Sequence, residues 1–496
     1  MATIDSLSSP CEQTATLPLA LIAALADEFR SSGIDYCLWK GTFKQQQVVQ
    51  GLKDIDILVA RADESRLIEI AVRLGFKAAH TTQQDAPPGV LDFFGYDSES
   101  GKIVHLHLHF ALIAGDRLTT NYLISLAKPY LAEAVDGGLF RIASPEFEYI
   151  LFVIRMMLDA TGRNAAFDPE RRHEIEYLLG RIEEDKVAAL LAEHFPSLAS
   201  GLFQKSSDAL RGKTGRFRLS RLRRQLRRAL SVYARRSEFS NSLIRFQRRA
   251  WRAWKTRVLR APFPKRRMLH GGTTIALIGG DGAGKSTAIA AMHEWLSSHL
   301  DVKTVHLGRP SRSLRTNVIR GLLKLIRGGM SVLRFLHLLK NGDANMKYAS
   351  RVSQMFWQYC VARDRARTYQ QARRFANRGG IVIFDRFPMP EVIAMDGPEI
   401  ETMISSGEIS DKWSWLAGWE KQWYASMPPA DLTIVLRLQP EAAIERKPSE
   451  DPDFVRERGL AVWHAKWLMS GAHVIDASRP MVDVHHEIRN EIWSRI

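Results

Sequence analysis

The chain has 496 residues, of which 45% are apolar and 25% are charged, and this composition excludes collagen, coiled coil and disorder throughout. Its length predicts two or three globular domains. The three cysteines, Cys11, Cys37 and Cys360, lie too far apart in the sequence for a disulfide framework or a four-thiolate zinc site. The N-terminal segment contains Asp5 and Glu12 and lacks the basic n-region of a secretory signal peptide. No apolar run is long enough to cross a bilayer, so a cytoplasmic protein is expected.

The positive charge is concentrated in the middle of the chain. The formal net charge is +16, yet residues 211–267 contain 21 Lys or Arg and a single acid, Glu238, so the remaining residues sum to −4. Together with the hydrophobic pattern, this charge distribution predicts three regions. They are an N-terminal α+β domain over 1–205, a basic helical linker over 206–270 and a C-terminal α/β domain over 271–496.

The first region alternates helix and strand signals. An apolar stripe predicts a helix that ends near Gly33, and strands follow at 34–39, 55–59 and 102–110. A further helix is expected over 67–74, and Ser144-Pro145 predicts the start of another.

Two aspartates mark the second of these strands. Asp54 and Asp56 are separated by one residue, so they point to the same face of a strand and together can bind Mg²⁺. With Trp39-Lys40-Gly41-Thr42 upstream, the pattern over about residues 15–200 resembles the DNA polymerase beta-like nucleotidyltransferase superfamily.

The third acid of that superfamily is absent from the strand expected to carry it. This strand instead contains His105, His107 and His109 on one face. Two interpretations remain open: the histidines ligate a metal beside the aspartates, or they are hydrogen-bonded side chains of a domain that no longer transfers nucleotides. Loss or change of the original activity, which would make the domain degenerate, is favoured, because an acid-to-histidine change removes a negative charge from the metal site.

The basic segment has helical spacing and three possible roles. Its leucines form one stripe, and Trp251 and Trp254 lie among arginines further along. The helices could bridge two domains, lie on an anionic membrane surface through residues 211–267, or neutralise nucleic-acid phosphates. The bridge is favoured, followed by a peripheral position at the inner membrane surface, and nucleic acid is the weakest alternative because of the apolar stripe.

Residues 279–287 contain the sharpest motif, Gly-Gly-Asp-Gly-Ala-Gly-Lys-Ser-Thr, which fits G-x-x-x-x-G-K-[ST]. A predicted strand over 273–278 precedes it, and a predicted helix over 287–296 follows it. The glycines let backbone N–H groups converge on a phosphate at a helix N-terminus. We expect Lys285 to contact the β/γ oxygens of ATP and Ser286 to bind Mg²⁺. The expected ATP-binding residues of this loop are Gly279, Asp281, Gly282, Gly284, Lys285, Ser286 and Thr287.

Charged residues follow two later strands of this domain. Asp385 and Arg386 come directly after the strand predicted over 381–384, at the edge where open parallel sheets bind ligands. There an aspartate can hold Mg²⁺ and an arginine can clamp an anionic acceptor. The strand over 432–438 leads to a helix that carries Arg446, and Arg456 and Arg458 follow. These basic residues predict a mobile lid that stabilises a migrating phosphoryl group.

Residues 273–494 resemble the thymidylate kinase family of P-loop nucleotide kinases, with the motifs in the same order. The resemblance implies that Asp281 orients the acceptor and that Arg386, in Asp385-Arg386-Phe387, holds the acceptor phosphate. It implies that Arg365 contacts the acceptor and that Arg446 closes over the γ-phosphate. The segment Ile475-Asp476-Ala477-Ser478 resembles the segment beside the adenine, which adds Asp476 to the ATP site. Leu307-Gly308-Arg309-Pro310 keeps the Arg-Pro pair of the family and adds Arg309 to the acceptor site.

Four departures from the family concern the acceptor. Val361 replaces the aromatic residue that stacks on the base, and Pro388-Met389-Pro390 replaces small hydroxylated residues. The Arg309-Pro310 pair lacks the acidic residue usual in that motif, and residues 317–340 look like an insertion. The sequence thus predicts ATP- and Mg²⁺-dependent phosphoryl transfer to a nucleoside monophosphate, dTMP-like, or to another small phosphate-bearing acceptor. The alternatives are a nucleotide-gated regulatory or membrane-associated protein, and nucleotidyl transfer by the N-terminal domain.

Overall fold

A computed structural model of the chain describes residues 17–81, 89–159, 169–212, 216–258, 265–335, 342–392 and 397–496. Asp5, Cys11 and Glu12 lie outside these residues. The chain forms two compact units, Met1–Pro264 and Lys265–Ile496. Within the described ranges, no helix combines the length and the apolar character that crossing a membrane requires.

The first unit is built on a mixed sheet. Its strands are Tyr36–Leu38 (β1), Ile55–Val59 (β2), Lys77–Thr81 (β3), Val90–Asp97 (β4), Lys102–His109 (β5), Leu112–Ala114 (β6), Tyr122–Ile124 (β7), Val135–Asp136 (β8) and Arg141–Ile142 (β9). Seven of them follow the order β3-β4-β5-β2-β1-β9-β8, and β6 and β7 form a separate antiparallel pair. β5 pairs in parallel with β2 and antiparallel with β4, so His107 lies between Asp56 on one side and Asp92 on the other.

Helices cover this sheet and extend the unit. They are Ala20–Ser31 (α1), Gln45–Val49 (α2), Glu64–Arg73 (α3), Ala127–Ala132 (α4), Pro145–Leu158 (α5), Pro169–Leu179 (α6), Glu184–His194 (α7), Ser200–Leu210 (α8), Arg216–Ala229 (α9) and Glu238–Arg257 (α10). Ser144 caps α5 through its hydroxyl, and Pro145 occupies the first turn, as the sequence predicts. α5 is buried over nearly its whole length and is the centre of a helical core distinct from the core under α1 and α3.

The basic segment divides into two helices with opposite environments. The leucine stripe of α9, which includes Leu222 and Leu226 and continues to Leu230 just after the helix, is buried in the helical core of the first unit. α10 instead leaves large apolar side chains exposed, among them Phe246 and Trp251. The arginine-rich α9 is therefore a structural part of this unit, while the apolar side chains of α10 face outward.

The second unit contains a parallel five-stranded sheet. After the short strand Arg266–Met268 (β10), the strands of this sheet are Thr274–Gly279 (β11), Val302–His306 (β12), Ile381–Asp385 (β13), Leu432–Arg437 (β14) and His473–Asp476 (β15). They run in the order β12-β13-β11-β14-β15, with every pair parallel. The α/β fold predicted from the sequence is confirmed. Because β11 lies at the centre, its carboxyl end opens between the ends of β13 and β14.

Helices flank this sheet. They are Lys285–Ser297 (α11), Leu314–Phe335 (α12), Gly342–Ala376 (α13), Ile400–Ser405 (α14), Ser414–Ala425 (α15), Pro440–Arg446 (α16), Pro452–His464 (α17), Trp467–Ser470 (α18) and Met481–Arg495 (α19). The stretch 317–340 falls mostly within α12, and its last residues, 336–340, lie outside the described ranges. β11 and β13 are almost fully buried, as expected of central strands covered on both faces.

Candidate functional site

The glycine-rich loop connects the central strand β11 to helix α11. Gly282 and Gly284 adopt φ angles of +80° and +86°, a region that favours glycine. A Cβ on Gly282 would lie 2.9 Å from the carbonyl oxygen of Ala443, and one on Gly279 would lie 2.8 Å from that of Leu436. The close approach of α16 and β14 thus requires glycine at two positions of the motif.

Lys285 lies across this loop. Its ammonium group donates to the carbonyl oxygens of Gly279, at 2.8 Å, and Gly280, at 2.6 Å. Burial lowers the pKa of Lys285 to about 8, and the nearby positive charges of Arg386 and Arg458 add to this effect. A bound polyanion would offset both the burial of the Lys285 charge and the repulsion from the two arginines, so the loop is suited to a phosphate chain.

Asp281 joins the loop to two arginines from other elements. Its Oδ2 lies 3.0 Å from Nη1 of Arg458 on α17, and its Oδ1 lies 3.7 Å from Nη2 of Arg386. Burial raises the pKa of Asp281, but the guanidinium of Arg458 and the other cations outweigh it and hold that pKa below its usual value. From the sequence, Arg458 was expected only as one of several basic residues in a lid, because no local pattern pairs two residues so far apart.

Asp385 and Arg386 emerge beside the loop, at the end of β13. Leu277 of β11 is in register with Asp385, so the aspartate lies next to the carboxyl end of the central strand. Arg386 has a φ angle of +59°, uncommon for a residue with a side chain, and it lines a small cavity together with Lys285. His306, which sequence reasoning did not select, places Nε2 3.7 Å from Oδ2 of Asp385.

The two other arginines expected at the acceptor differ in their surroundings. Arg365 is only 3% exposed, its Nε donates to the carbonyl oxygen of Leu307 at 2.8 Å, and it also bonds the Tyr424 hydroxyl. Arg309 is exposed beyond the end of β12, two residues after Leu307. Arg365 therefore fixes the base of the segment that carries Arg309.

Two residues expected on the ATP side lie next to each other. Arg446 donates from Nη1 to the carbonyl oxygen of Ala477 at 3.3 Å. Asp476 ends β15 and accepts from the backbone N–H of Ser478 at 2.9 Å and from its hydroxyl at 2.7 Å. Arg446 is thus held against the segment 475–478, whereas Arg458 reaches Asp281 of the loop.

The first unit brings together a second cluster of ionisable side chains. One oxygen of Asp56, Oδ1, is surrounded by three nitrogens: Lys40 Nζ at 2.8 Å, His109 Nε2 at 3.0 Å and His107 Nδ1 at 3.1 Å. Asp54 faces the same cluster, with Oδ1 3.0 Å from Nδ1 of His105. Asp56 on β2 and Asp54, which directly precedes β2, therefore face the same cluster, as strand alternation predicts.

A third carboxylate completes this cluster and comes from an unexpected strand. Asp92 of β4 places Oδ1 2.9 Å from Nε2 of His105 and 2.8 Å from Nε2 of His107. Sequence reasoning looked for the acid on β5 and missed it on the neighbouring strand. The only signal for it was an acid followed by the apolar pair Phe93-Phe94 near the start of β4.

The charges of this cluster are strongly coupled. Burial lowers the pKa of His107, but the Asp56 and Asp92 carboxylates outweigh it and raise that pKa to about 9. Burial lowers the pKa of His109 to about 4. Burial raises the pKa of Asp56, yet Lys40 and the histidines hold it well below its ordinary value. At neutral pH the cluster therefore contains ionised Asp56 between a cationic and a neutral imidazole.

Comparison with known proteins gives one curated relative in two strains. No protein-family model matches the chain. The chain is 31% identical over 185 residues to a protein of Escherichia coli strain K12 described as "Uncharacterized ATP-binding protein YghR". The match covers 36% of this chain and 69% of the relative, and the protein of the same description from Escherichia coli O6:H1 strain CFT073 gives the same figures.

Proposed function

This chain belongs to the protein family that includes the Escherichia coli ATP-binding protein YghR, and we propose that its second unit binds ATP and transfers the γ-phosphoryl group to a small phosphate-bearing acceptor. One observation carries the proposal: Asp385 and Arg386 emerge from β13 directly beside the loop that ends the central strand. Phosphoryl transfer depends on positioning and on positive charge around the migrating group, and this edge of the sheet supplies both.

The donor side of this site is formed by the loop and α11. The backbone N–H groups between Asp281 and Thr287 surround the phosphates, and Lys285 exchanges its loop carbonyls for phosphate oxygens. Mg²⁺ fits the available donors, because the exposed Ser286 hydroxyl and the Asp385 carboxylate offer the oxygen ligands that this ion prefers. When bound, Mg²⁺ neutralises part of the triphosphate charge.

The acceptor side is formed by Arg386 and the segment after β12. In this proposal Arg386, which lies 3.7 Å from Asp281 of the loop and lines a cavity with Lys285, clamps the acceptor phosphate. Arg309, at the exposed end of the segment fixed by Arg365, adds a second cation. A nucleoside monophosphate of the dTMP type is the acceptor class that the thymidylate kinase resemblance implies.

Labelled ATP incubated with a panel of nucleoside monophosphates and sugar phosphates tests the proposal. We expect a phosphorylated acceptor with the full chain, and its loss in Lys285→Ala and in Arg386→Ala. Asp54→Asn, in the other unit, is the control and should leave that product unchanged. A nucleotidyl product that disappears in Asp54→Asn, or ATP hydrolysis without any phosphorylated acceptor, would overturn the assignment.

The exposed face of α10 favours a second function, association with an anionic membrane surface. Phe246, Trp251 and Trp254 are 69%, 55% and 43% exposed, and the two indole rings stack with centroids 4.9 Å apart. Indole rings prefer the headgroup level of a bilayer, and the surrounding arginines complement anionic lipid. We expect sedimentation with phosphatidylserine vesicles and reduced sedimentation of the Trp251→Ala/Trp254→Ala variant. Equal sedimentation of parent and variant would contradict this function.

A further inference from the structure

The cluster in the first unit contains more than a pair of magnesium-type carboxylates. Asp56, His107 and His109 place one ligand atom each within 4.8 Å of one another, and so do Asp54, His105 and His107. His107 belongs to both sets, so one ion can use either set but two ions cannot use both in full. The question is which set is built for an ion and which kind of ion it selects.

The distances around Asp56 are those of hydrogen bonds, and they also suit three ligands of one ion. Oδ1 of Asp56 lies 3.0 Å from Nε2 of His109 and 3.1 Å from Nδ1 of His107. Ligands bound at about 2.1 Å with angles of about 90 to 110° lie about 3.0 to 3.4 Å apart. These three side chains are also better buried than Asp54, whose side chain is 47% exposed.

Asp92 provides a second observation about His107, the histidine that both sets share, but it does not separate the sets, because its Oδ1 also lies 2.9 Å from Nε2 of His105. It places Oδ1 2.8 Å from Nε2 of His107, the ring nitrogen that faces away from Asp56. A metal-binding histidine typically donates its second N–H to such a carboxylate, which fixes its tautomer and its orientation. The antiparallel register of β4 and β5 places Asp92 directly opposite His107 and so determines this geometry.

We propose that Asp56, His107 and His109 form a binding site for one divalent transition-metal ion, with Asp92 orienting His107. Two imidazoles and one carboxylate select ions of the Zn²⁺ and Co²⁺ type over Mg²⁺, which prefers oxygen ligands. Three protein ligands leave positions open for water or a small ligand, and the half-exposed Asp54 marks the solvent side of the site. This site is separate from the ATP site of the second unit and does not depend on the proposed phosphoryl transfer.

The test is metal binding by the untagged full chain, freed of metal by a chelator. We expect one Zn²⁺ per chain, measured by metal analysis and by competition with a fluorescent chelator, and visible absorption bands when Co²⁺ replaces it. His109→Gln should weaken Zn²⁺ binding more than about 100-fold, and Asp92→Asn about 10- to 100-fold. His105→Gln is the matched control from the same strand and should change the affinity only slightly.

Lys40 offers a variant with the opposite expectation. Its ammonium lies 2.8 Å from Oδ1 of Asp56 and repels a cation at the site, so Lys40→Met should bind Zn²⁺ at least about tenfold more tightly. A misfolded variant cannot produce this gain. The proposal is overturned if the parent binds no Zn²⁺, if Mg²⁺ competes at equal concentration, if His105→Gln loses more affinity than His109→Gln, or if Lys40→Met does not bind more tightly.

Discussion

Arg458 of α17 donates from Nη1 to Oδ2 of Asp281 at 3.0 Å, which connects α17 to the glycine-rich loop across 177 residues of sequence. The guanidinium therefore lies beside the loop. A triphosphate in the loop would give Arg458 a second anionic partner. This relationship makes Arg458, rather than Arg446 alone, a candidate for stabilising the transferred group.

Removal of this guanidinium should affect turnover more than binding. In Arg458→Ala we expect kcat to fall about 100-fold, because a cation near the migrating phosphoryl group acts mainly in the transition state. ATP affinity should change much less, since Lys285 and the loop N–H groups remain. Steady-state kinetics and equilibrium ATP binding measure the two effects separately.

Lys421 supplies the control for this prediction. It forms an exposed ion pair with Glu401 on the surface of the same unit, where one charge contributes little. Lys421→Ala should keep the parental kcat. Equal losses in the two variants, or a loss of ATP binding that accounts for the whole effect in Arg458→Ala, would argue against a transition-state role.

ATP binding should be accompanied by proton uptake near pH 8. Burial lowers the pKa of Lys285 to about 8 in the free protein, so about half of the amine is neutral at that pH. A bound triphosphate favours the charged form and raises this pKa, which draws a proton from solution. ATP affinity should therefore decrease as the pH rises above 8.

Calorimetry in buffers of different ionisation enthalpy measures this uptake directly. About half a proton per ATP is expected for the parent at pH 8. Lys285→Arg carries a guanidinium that stays charged, so its uptake should be close to zero. The same proton uptake in both proteins would assign the titration to another group.

Two glycines of the loop allow backbone strain to be separated from steric overlap. Gly282 and Gly284 have similar positive φ angles, so an alanine at either position should cost about 1–2 kcal/mol of strain. Only Gly282→Ala adds a close contact, 2.9 Å from the Ala443 oxygen. A Cβ at Gly284 has no atom within 4 Å in the described part of the chain. Gly282→Ala should therefore lose more ATP affinity and more thermal stability than Gly284→Ala.

Equilibrium binding of a fluorescent ATP analogue and thermal melting check this order. If Gly284→Ala loses more ATP affinity and thermal stability than Gly282→Ala, the close contact between the loop and α16 is not what requires glycine at position 282.

Local features of both units were predictable from the sequence. The strand, loop and helix around Lys285 follow from a short contiguous motif, and the observed limits of β11 and α11 differ from the predicted ones by one or two residues. Asp54 and Asp56 share a face because strand alternation requires it. In each case residues adjacent in the sequence are sufficient to predict the local structure.

Long-range features were not predictable in the same way. Asp92 joins the histidines only through the register of β4 and β5, which no single segment encodes. Arg365 matches a motif of acceptor-contacting arginines, yet Leu307 and Tyr424 satisfy it within the domain interior. Which partner satisfies a charged side chain depends on packing between distant elements, and one sequence without its fold does not specify that packing.

A buried carboxyl in the first unit should lower the free energy of unfolding as the pH rises. Glu148 of α5 accepts the backbone N–H of Thr42 at 3.2 Å and bonds its hydroxyl, and burial raises the Glu148 pKa from 4.5 to about 7. The folded state thus binds the proton more tightly than the unfolded state, so this destabilisation grows as the pH rises from 4.5 to 7. It corresponds to about 3 kcal/mol at higher pH.

Glu148→Gln should remove this pH dependence, because the amide can still accept from the Thr42 N–H but does not ionise. Urea unfolding of parent and variant at several pH values between 4.5 and 8 gives the difference in unfolding free energy. As the pH rises, the unfolding free energy of the variant should increase relative to that of the parent by up to about 3 kcal/mol. All other titrating groups, including the histidine cluster, are present in both proteins, so their effects cancel in the difference. Parallel pH profiles of the two unfolding free energies would show that Glu148 ionises in the folded state without destabilising it.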